Sequence, residues 1–570
     1  MPTVIGFDTE TCEGPPITFQ CYSEQLPRIN ACVFCDGENI LTEFLKHLGK
    51  NLGSGEYVLY GHNLKFDLLS LFYPVKEQLV AKRGEFTMRV GEWEITGIYG
   101  TPTFCRLVNG NCQVYIVDGF SWFRTSLAKL ADLICPGLPK LEHPEGLGTK
   151  KFTPNDDIFI AYAMRDAEVS YHEGLAIDAM HHEFQLRQSL SVADMASRIF
   201  TQHFINEPIW NTGPRIMEGA VKSYHGGKNN VIPGAAPAWH SHVDAWDLSS
   251  AYPHAMTMLP AFSQTNLFAA AKVFSKKQTN FHEHGVYRIS GTVDKCDWPV
   301  LFDHGFKPIT GDFENIWTTG YELNEACREG EIKLTKVMGH VYDTDKDPVT
   351  NTAFQRYVSE FYDLKQNATD PVRRYLYKTL LNSIYGKFIQ SREVEEEDGS
   401  VIWKHGPLYH PFAASLITGH TRSVMHRLEH EVKALHTATD GVFCGSNNSP
   451  PNGVFSWAPK SGVGCIENEG KDGDLCLLRN KLYLLYTRDS AQGWPSNILQ
   501  DRYVAKYAKH GFQGSPAELE RLVAENKRKY EVERPNTLRN SLRQGKVPNK
   551  FEKYNLVLRV PPVIRHYNHQ

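Results

Sequence analysis

The sequence predicts a multidomain chain in which an α/β part precedes an α+β part. Three observations carry that expectation. Residues 1 to about 185 alternate strand-like and helix-like segments, the pattern of a mixed α/β domain. A Gly/Pro-rich stretch, YHGGKNNVIPGAAPAW at 224–239, then reads as a linker. Beyond it come a strand, a pair of helices, a charged hairpin and a mixed terminal region. The 570 residues are enough for several cores.

Composition narrows the class. Hydrophobic residues are 41% and charged residues 22% of the chain, ordinary for a soluble globular protein. No apolar run reaches the roughly 18 residues that span a membrane. MPTVIGFDTET enters a strand pattern at once, without a signal or transit peptide, so an intracellular location is expected. Twelve cysteines do not make a disulfide scaffold. Cys32 and Cys35 have zinc-knuckle spacing, but no second pair follows, and they read as cysteines of an apolar strand. The net charge of −4 hides an asymmetry. Residues 501–570 hold 15 basic against 7 acidic residues, whereas the first 500 hold 46 against 58. A basic terminal segment on an acidic body suits a protein that grips a phosphate backbone at one end.

The elements follow in order. VIGFDTET and VYIVDGF read as strands, and TPNDDIFIAYAMRDAEVSYHEGL as a helix with Thr153 as N-cap and Pro154 at its first position. On the first strand Asp8 and Glu10 alternate and face one side. Asp67 lies in GHNLKFDLLS, and Tyr162 and Asp166 sit four apart on the helix. Four carboxylates are what two magnesium ions need to hold a phosphodiester, with Tyr162 placed to orient the attacking water.

The second half carries a second set. DLSSAYP puts Asp247 at a strand end, followed by the Leu248 carbonyl, Ser250, Tyr252 and the pairing-stopper Pro253. One carboxylate and a backbone carbonyl can hold a metal-bound triphosphate, and Tyr252 can pack under its sugar. Residues 354–386 read as helices broken at NATDP. In RRYLYKTLLNSIYGKF, Arg374, Lys378, Asn382 and Tyr385 form one helical stripe, Leu376, Leu380 and Ile384 the opposite one, and Gly386 ends the helix. Two cations for phosphates, an amide and a ring for base stacking share the polar stripe. HTATDGVFC offers a single acid, Asp440, and LRNKLYLLY places Lys481 and Tyr483 on one side of a strand.

Together these motifs resemble the family B DNA polymerases with a 3′–5′ proofreading exonuclease. The first set resembles the DEDD exonuclease of the tyrosine subclass. The second resembles the three polymerase motifs followed by Lys-x-Tyr. The resemblance implies an RNase H-like exonuclease domain at 1–185 and a right-hand polymerase. Its first palm part would be 186–353, with an insertion near 300–350. Fingers would follow at 354–390, a second palm part at 391–486 with a short hairpin near 392–411, and a thumb at 487–570. It implies that Thr11, His62, Asn63 and Phe66 bind a frayed single strand, that Lys378 serves catalysis as well as the nucleotide, and that Tyr224, Gly226 and Gly227 form the loop that touches template. Ser126, Leu127 and Lys140, the compact size and the insertion resemble the protein-primed enzymes of phages and linear plasmids, which start on a terminal protein. The implied partners are primer-template DNA, dNTPs and that protein, and the implied state a monomer. The implied cofactor is Mg2+, two ions per site, with Mn2+ able to substitute.

Two departures stand out. Where the third motif has Asp-Thr-Asp, the first Asp is Ala438, and the usual following Ser is Gly441. The segment after the second motif, REVEEEDGSVIWKHGPLYHP, is short for the template-enclosing hairpin of the phage enzymes. Ala438 keeps open an exonuclease with an impaired polymerase half; a nucleic-acid-primed family B polymerase and an origin-binding scaffold are the other readings. Tyr252→Val is expected to raise ribonucleotide incorporation relative to deoxyribonucleotide in primer extension. An unchanged ratio would assign Tyr252 to the core.

Overall fold

The computed structural model describes residues 2–80, 85–100, 102–263, 272–294, 296–345, 348–395, 400–450, 453–487, 498–499, 502–508, 512, 515–525, 529–535 and 551–557. An eight-stranded sheet fills the N-terminal part, in the order Ala31–Phe34, Pro16–Tyr22, Thr3–Thr11, Gly55–Gly61, Cys112–Asp118, Phe104–Asn109, Trp93–Ile98, Glu85–Val90. The three central strands run parallel. Val4, Ile5, Phe7, Val58, Leu59, Val114, Ile116 and Val117 on them are buried, as strands covered on both faces require.

The helix Asp157–Glu183 packs across the first strand. Gly6 permits this. A Cβ there would lie 1.8 Å from the Ala167 carbonyl oxygen, so only glycine lets the helix backbone settle at this distance. The helix starts later than its sequence signals suggest. Thr153 does not cap it: the Thr153 N–H and hydroxyl donate to Asp156 Oδ2 at 2.7 and 3.0 Å, which closes a turn ahead of the first helical residue.

A second eight-stranded sheet, antiparallel among its described pairs, forms the centre. Its order is Ile498–Leu499, Arg502–Ala508, Leu482–Thr487, Ile466–Arg479, Ala238–Leu248, Gly441–Gly445, His436–Ala438, Asn229–Val231. Asn229–Val231 shows that 224–239 is more than a linker, since part of it edges this sheet. A third sheet of four strands, Lys272–Val273, Ile332–Val341, Gly285–Val293 and Gly311–Thr319, carries the helix Gly320–Arg328, which Thr319 and Glu322 open with a capping box. This unit begins nearer residue 272 than 300.

The helices Ala353–Asn367 and Pro371–Ser383 break at NATDP. Gly386 does not end the second one. It stops at Ser383, and Tyr385–Ile389 continues as a 3-10 turn. Strands Ser391–Glu395 and Val401–His405 pair as a hairpin whose tip, 396–399, lies outside the described residues. Much of the basic C-terminal segment also lies outside them. Described there are the helix Pro516–Ala524, capped by Ser515, and the paired strands Lys529–Pro535 and Phe551–Val557. All twelve cysteines are free. No helix among the described residues is long and apolar enough to cross a membrane.

The helix Pro411–Val432 runs through the centre and is buried along most of its length, polar residues included. Arg422 on it is 0% exposed. Its Nε donates to Glu322 Oε1 at 2.7 Å, and Nη1 donates to the carbonyls of His225 at 2.5 Å and Gly226 at 3.0 Å. Removing one partner of a buried ion pair costs about 3–5 kcal/mol, because the other charge stays buried. Arg422→Met is therefore expected to lower the urea unfolding transition by that order. Adding Glu322→Gln should recover part of the loss. A single variant as stable as the parent would show that the pair holds nothing in place.

Candidate active sites

Asp8, Glu10 and Asp166 bring carboxylate oxygens within 4.8 Å of one another. Strand alternation orients the first two, and the helix lodged on Gly6 delivers the third. Asp67, on the helix Lys65–Leu71, is 1% exposed and accepts from the Thr9 N–H at 3.0 Å and the Thr9 hydroxyl at 2.8 Å. Lys140 Nζ stands 2.5 Å from Asp166 Oδ2, and 5.0 Å from the centre of the Tyr162 ring. The Tyr162 hydroxyl is 3.2 Å from His143 Nδ1.

Crowding in low dielectric raises the proton affinity of all four acids. Burial, then Asp67, Glu10 and Asp166, push Asp8 well above the usual carboxylate range. Burial and Asp166 bring Glu10 to about 8. Burial lifts Asp67 to about 7 against the Thr9 hydrogen bonds, and lifts Asp166 against Lys140. Asp166 Oδ1 is buried without a hydrogen-bond partner. Closely spaced, undercompensated carboxylate oxygens and one orphaned oxygen fit hard divalent cations.

The expected single-strand contacts divide. Asn63 is exposed, at φ 65°, and begins the turn into the Asp67 helix. Phe66 is half-buried, while Thr11 is 6% exposed at a strand irregularity. His62 has both ring nitrogens engaged within the protein, Nδ1 at 3.1 Å from Glu173 Oε1 and Nε2 at 2.8 Å from the Thr125 carbonyl. Its nearly buried ring lies edge-on to Phe120, which is 39% exposed. Ser126 caps the helix Leu127–Ile134 by accepting from the Lys129 N–H at 3.4 Å, and Leu127 packs on the core.

The second cluster sits at the centre of the middle sheet. Asp247 pairs with Gly441 across the ladder. Asp440 occupies the turn between two short strands, not a strand interior, and its carbonyl accepts from the Leu248 N–H at 2.8 Å. Both acids line a cavity of about 200 Å³ with Ala438, Gly441, Tyr483 and Lys506. A Cβ on Gly441 would press on Asp247 Oδ1 at 3.1 Å, so glycine here leaves that carboxylate room. Burial, Asp440 and Glu469 lift Asp247 to about 7, with Lys506 opposing. Burial also raises Asp440, and Lys506 and Lys481 pull it back. Lys506 pairs with Glu469. Lys481 lies in a turn at φ 55°, not on a strand, and its Nζ donates to Thr439 Oγ1 at 3.1 Å. Tyr483 packs edge-on to Phe443 at 4.8 Å.

Beside this cluster the rings of Tyr252 and Tyr385 stack, 4.0 Å between centres and 12° between planes. Gly227 makes room for them, since a Cβ there would meet the Tyr252 hydroxyl at 2.6 Å. Tyr224 is close enough for Tyr385 to raise its phenol after burial does. Ser250 enters the short helix Ala251–Thr257 at φ 51°. On the stripe, Arg374 and Lys378 are exposed and Asn382 is half-buried, while Leu376, Leu380 and Ile384 face inward. Lys365 of the preceding helix joins them. Burial, Lys378 and Arg374 lower its ammonium, and Glu467 opposes them. Lys365, His143, Lys506, Glu469 and Arg422 have no motif that marks them in the sequence. Strand pairing and helix packing alone bring them in.

The family model of DNA polymerase type B, organellar and viral, matches residues 147–399. The DNA-directed DNA polymerase of Enterobacteria phage PRD1 is 24% identical over 281 residues, 44% of this chain and 47% of the relative. A protein of Agaricus bitorquis described as "Probable DNA polymerase" is 28% identical over 192 residues, 31% of this chain and 22% of that one. The chain thus spans about half the length of the first relative and about a fifth of the second. The fold is that of phi29 DNA polymerase. The complex with primer-template DNA superposes with a TM-score of 0.68 at 16% identity, over 98% of this chain and 100% of that one. The complex with primer-template DNA and incoming nucleotides gives 0.66 at 16% identity over the same shares.

Glu10 supplies a pH test. Its carboxyl moves from 4.5 to about 8 on folding, so the fold favours the protonated form. That contribution is full below pH 4.5 and is lost as pH rises through about 8. In chelator, the Tm of the metal-free protein should fall across this window. Glu10→Gln should weaken the fall, and added Mg2+ should restore the loss at the upper end. A Tm indifferent to pH and to Glu10→Gln would mean that the acids are not crowded.

Proposed function

We propose that this chain is a type B DNA polymerase of the organellar and viral kind, whose family model it matches over residues 147–399, and that it copies a DNA template and removes mispaired 3′ ends at a second centre. The observation that carries this reading is the pair of separate carboxylate clusters, half-buried or buried, one on each large sheet, each with fewer lysines than acids. Two divalent ions per centre, in our reading Mg2+, would supply charge neutralisation and an activated oxygen nucleophile when bound. Asp8, Glu10, Asp67 and Asp166 would hold them in one centre, and Asp247, Asp440 and the Leu248 carbonyl in the other.

The chain's own groups do the rest. In synthesis the primer 3′-oxygen bonds to the α-phosphorus and pyrophosphate leaves. Arg374 and Lys378 hold the triphosphate, and Asn382 lies one turn further along the same face. The Tyr252–Tyr385 stack forms a floor for sugar and base, and Lys481 reaches from its turn towards a primer phosphate. Lys506 keeps Asp247 and Asp440 from repelling each other before substrate arrives. Glu469 adds a carboxylate beside them although position 438 offers none, which favours a working polymerase over a lapsed one. In degradation Tyr162 orients the water, with His143 fixing its hydroxyl, and Lys140 steadies Asp166.

We further propose priming by the hydroxyl of a terminal protein, with the sheet unit at 272–341 as its contact. The phi29-like fold over nearly the whole length and this added unit support it. Labelled dNTP, Mg2+ and template, with and without a candidate terminal protein, form the test. Asp440→Asn should cut extension on the order of 10³-fold and spare degradation. Asp8→Ala with Glu10→Ala should do the reverse. Label on the added protein supports protein priming, whereas label on DNA alone rejects it. Equal loss of both activities in either variant would reject two independent centres.

A further inference from the structure

Away from both centres, four side chains of soft and borderline ligand type meet. Cys296 lies in the loop after Gly285–Val293, Glu331 just before Ile332–Val341, and His426 and His430 one turn apart on the buried helix Pro411–Val432. Ligand atoms of Cys296, Glu331 and His430 all lie within 4.8 Å of one another. Around Glu331 Oε1 stand Cys296 Sγ at 3.0 Å, His430 Nε2 at 3.0 Å and His426 Nε2 at 3.3 Å. Cys296 Sγ and His430 Nε2 are 3.7 Å apart. A tetrahedral zinc with ordinary Zn–N and Zn–S bonds sets its ligand atoms about 3.3–3.7 Å apart, so Cys296 and His430 already stand at ligand spacing, Glu331 needs a small outward shift, and His426, which meets the group through Glu331, turns in as the fourth ligand.

Two further observations point to an ion. His426 is 0% exposed, and both its ring nitrogens lack a well-formed hydrogen bond, the Glu331 approach being close without good alignment. A buried imidazole left this way is costly unless something else takes its lone pair. His430 also turns its second nitrogen, Nδ1, to Glu329 Oε2 at 3.5 Å, the outer carboxylate that orients metal-bound histidines. Histidines at i and i+4 share one helix face and can bite one ion together.

We propose that Cys296, Glu331, His426 and His430 form a structural zinc site. It clamps the four-stranded unit to the helix that leads into the Asp440 turn. Binding replaces the Cys296 thiol proton and any proton on the two imidazoles with one Zn2+, the protons passing to solvent. The ring of Trp298, 5.0 Å from that of His430 and donating to the Ala434 carbonyl at 2.9 Å, closes one side of the site. The two catalytic centres described above are oxygen-only sites without a thiol, so thiolate chemistry separates the new site from them.

The experiment uses the full chain, stripped with chelator and held in excess Mg2+, with Co2+ alone as probe. One Co2+ per chain with a thiolate-to-cobalt charge-transfer band is expected, and one equivalent of Zn2+ should bleach it. Cys296→Ser should abolish the band, and His430→Gln should weaken Co2+ binding at least tenfold. Asp8→Ala with Asp440→Asn should leave the band intact. Zn2+ should raise the Tm of the parent but not of Cys296→Ser. If Cys296→Ser fails to fold, His426→Gln and His430→Gln read the same band. A folded parent without the band, or a band that survives Cys296→Ser, overturns the proposal, whether or not the protein proves to be a polymerase.

Discussion

Arg422 has no access to water, and much of what surrounds the Asp247–Asp440 cluster is hung from it. A buried guanidinium is tolerated only when its donors are answered. Here one carboxylate and two carbonyls answer Nε and Nη1, while Nη2 is buried without a partner, and Glu322 is itself answered by Thr319, at 2.8 Å. Arg422 and Thr319 keep Glu322 below its ordinary value in spite of full burial. The carbonyls belong to His225 and Gly226, which fixes the next residue, Gly227, against Tyr252 and Thr439. Thr439 in turn accepts from Lys481 and immediately precedes Asp440. One ion pair thus bears on the positions of Tyr252, Lys481 and Asp440.

The two acid clusters share a logic that works against stability. Each gathers carboxylates from elements far apart in sequence, and each has fewer cations than acids. Lys140 stands against four in the first; Lys506 and Lys481 stand against Asp247, Asp440 and Glu469 in the second. The chain tolerates this strain because the scaffolds beneath are apolar and regular. On the function proposed above, what the clusters lose in folding free energy they would return as affinity for cations and for the phosphates those cations carry.

Some of this was legible in the sequence because it is local. Alternation put Asp8 and Glu10 on one face. Helical spacing separated Arg374, Lys378 and Asn382 from Leu376, Leu380 and Ile384. The fold class followed from element order together with these motifs. Other features resist such reading for physical reasons. The helix Pro411–Val432 is buried all round, so it has no apolar stripe to betray which residue matters, and Arg422 looks like any surface arginine. Lys506 meets Glu469 only through strand pairing. Nothing local announces that Glu173, more than a hundred residues on, holds His62. Thr153 loses its cap to Asp156 because a short turn competes with the helix for the same donors.

The contact at Gly6 has a bearing on how such a chain can change. The distance from Asp8 to Asp166 is set by backbone meeting backbone, not by the fit of apolar side chains. Neighbouring core positions can therefore drift in size over many generations without retuning the centre, each absorbed by its own surroundings. Position 6 has no such freedom. There a single hydrogen sets how near the Asp166 helix comes to the Asp8 strand, and any side chain would push the two apart.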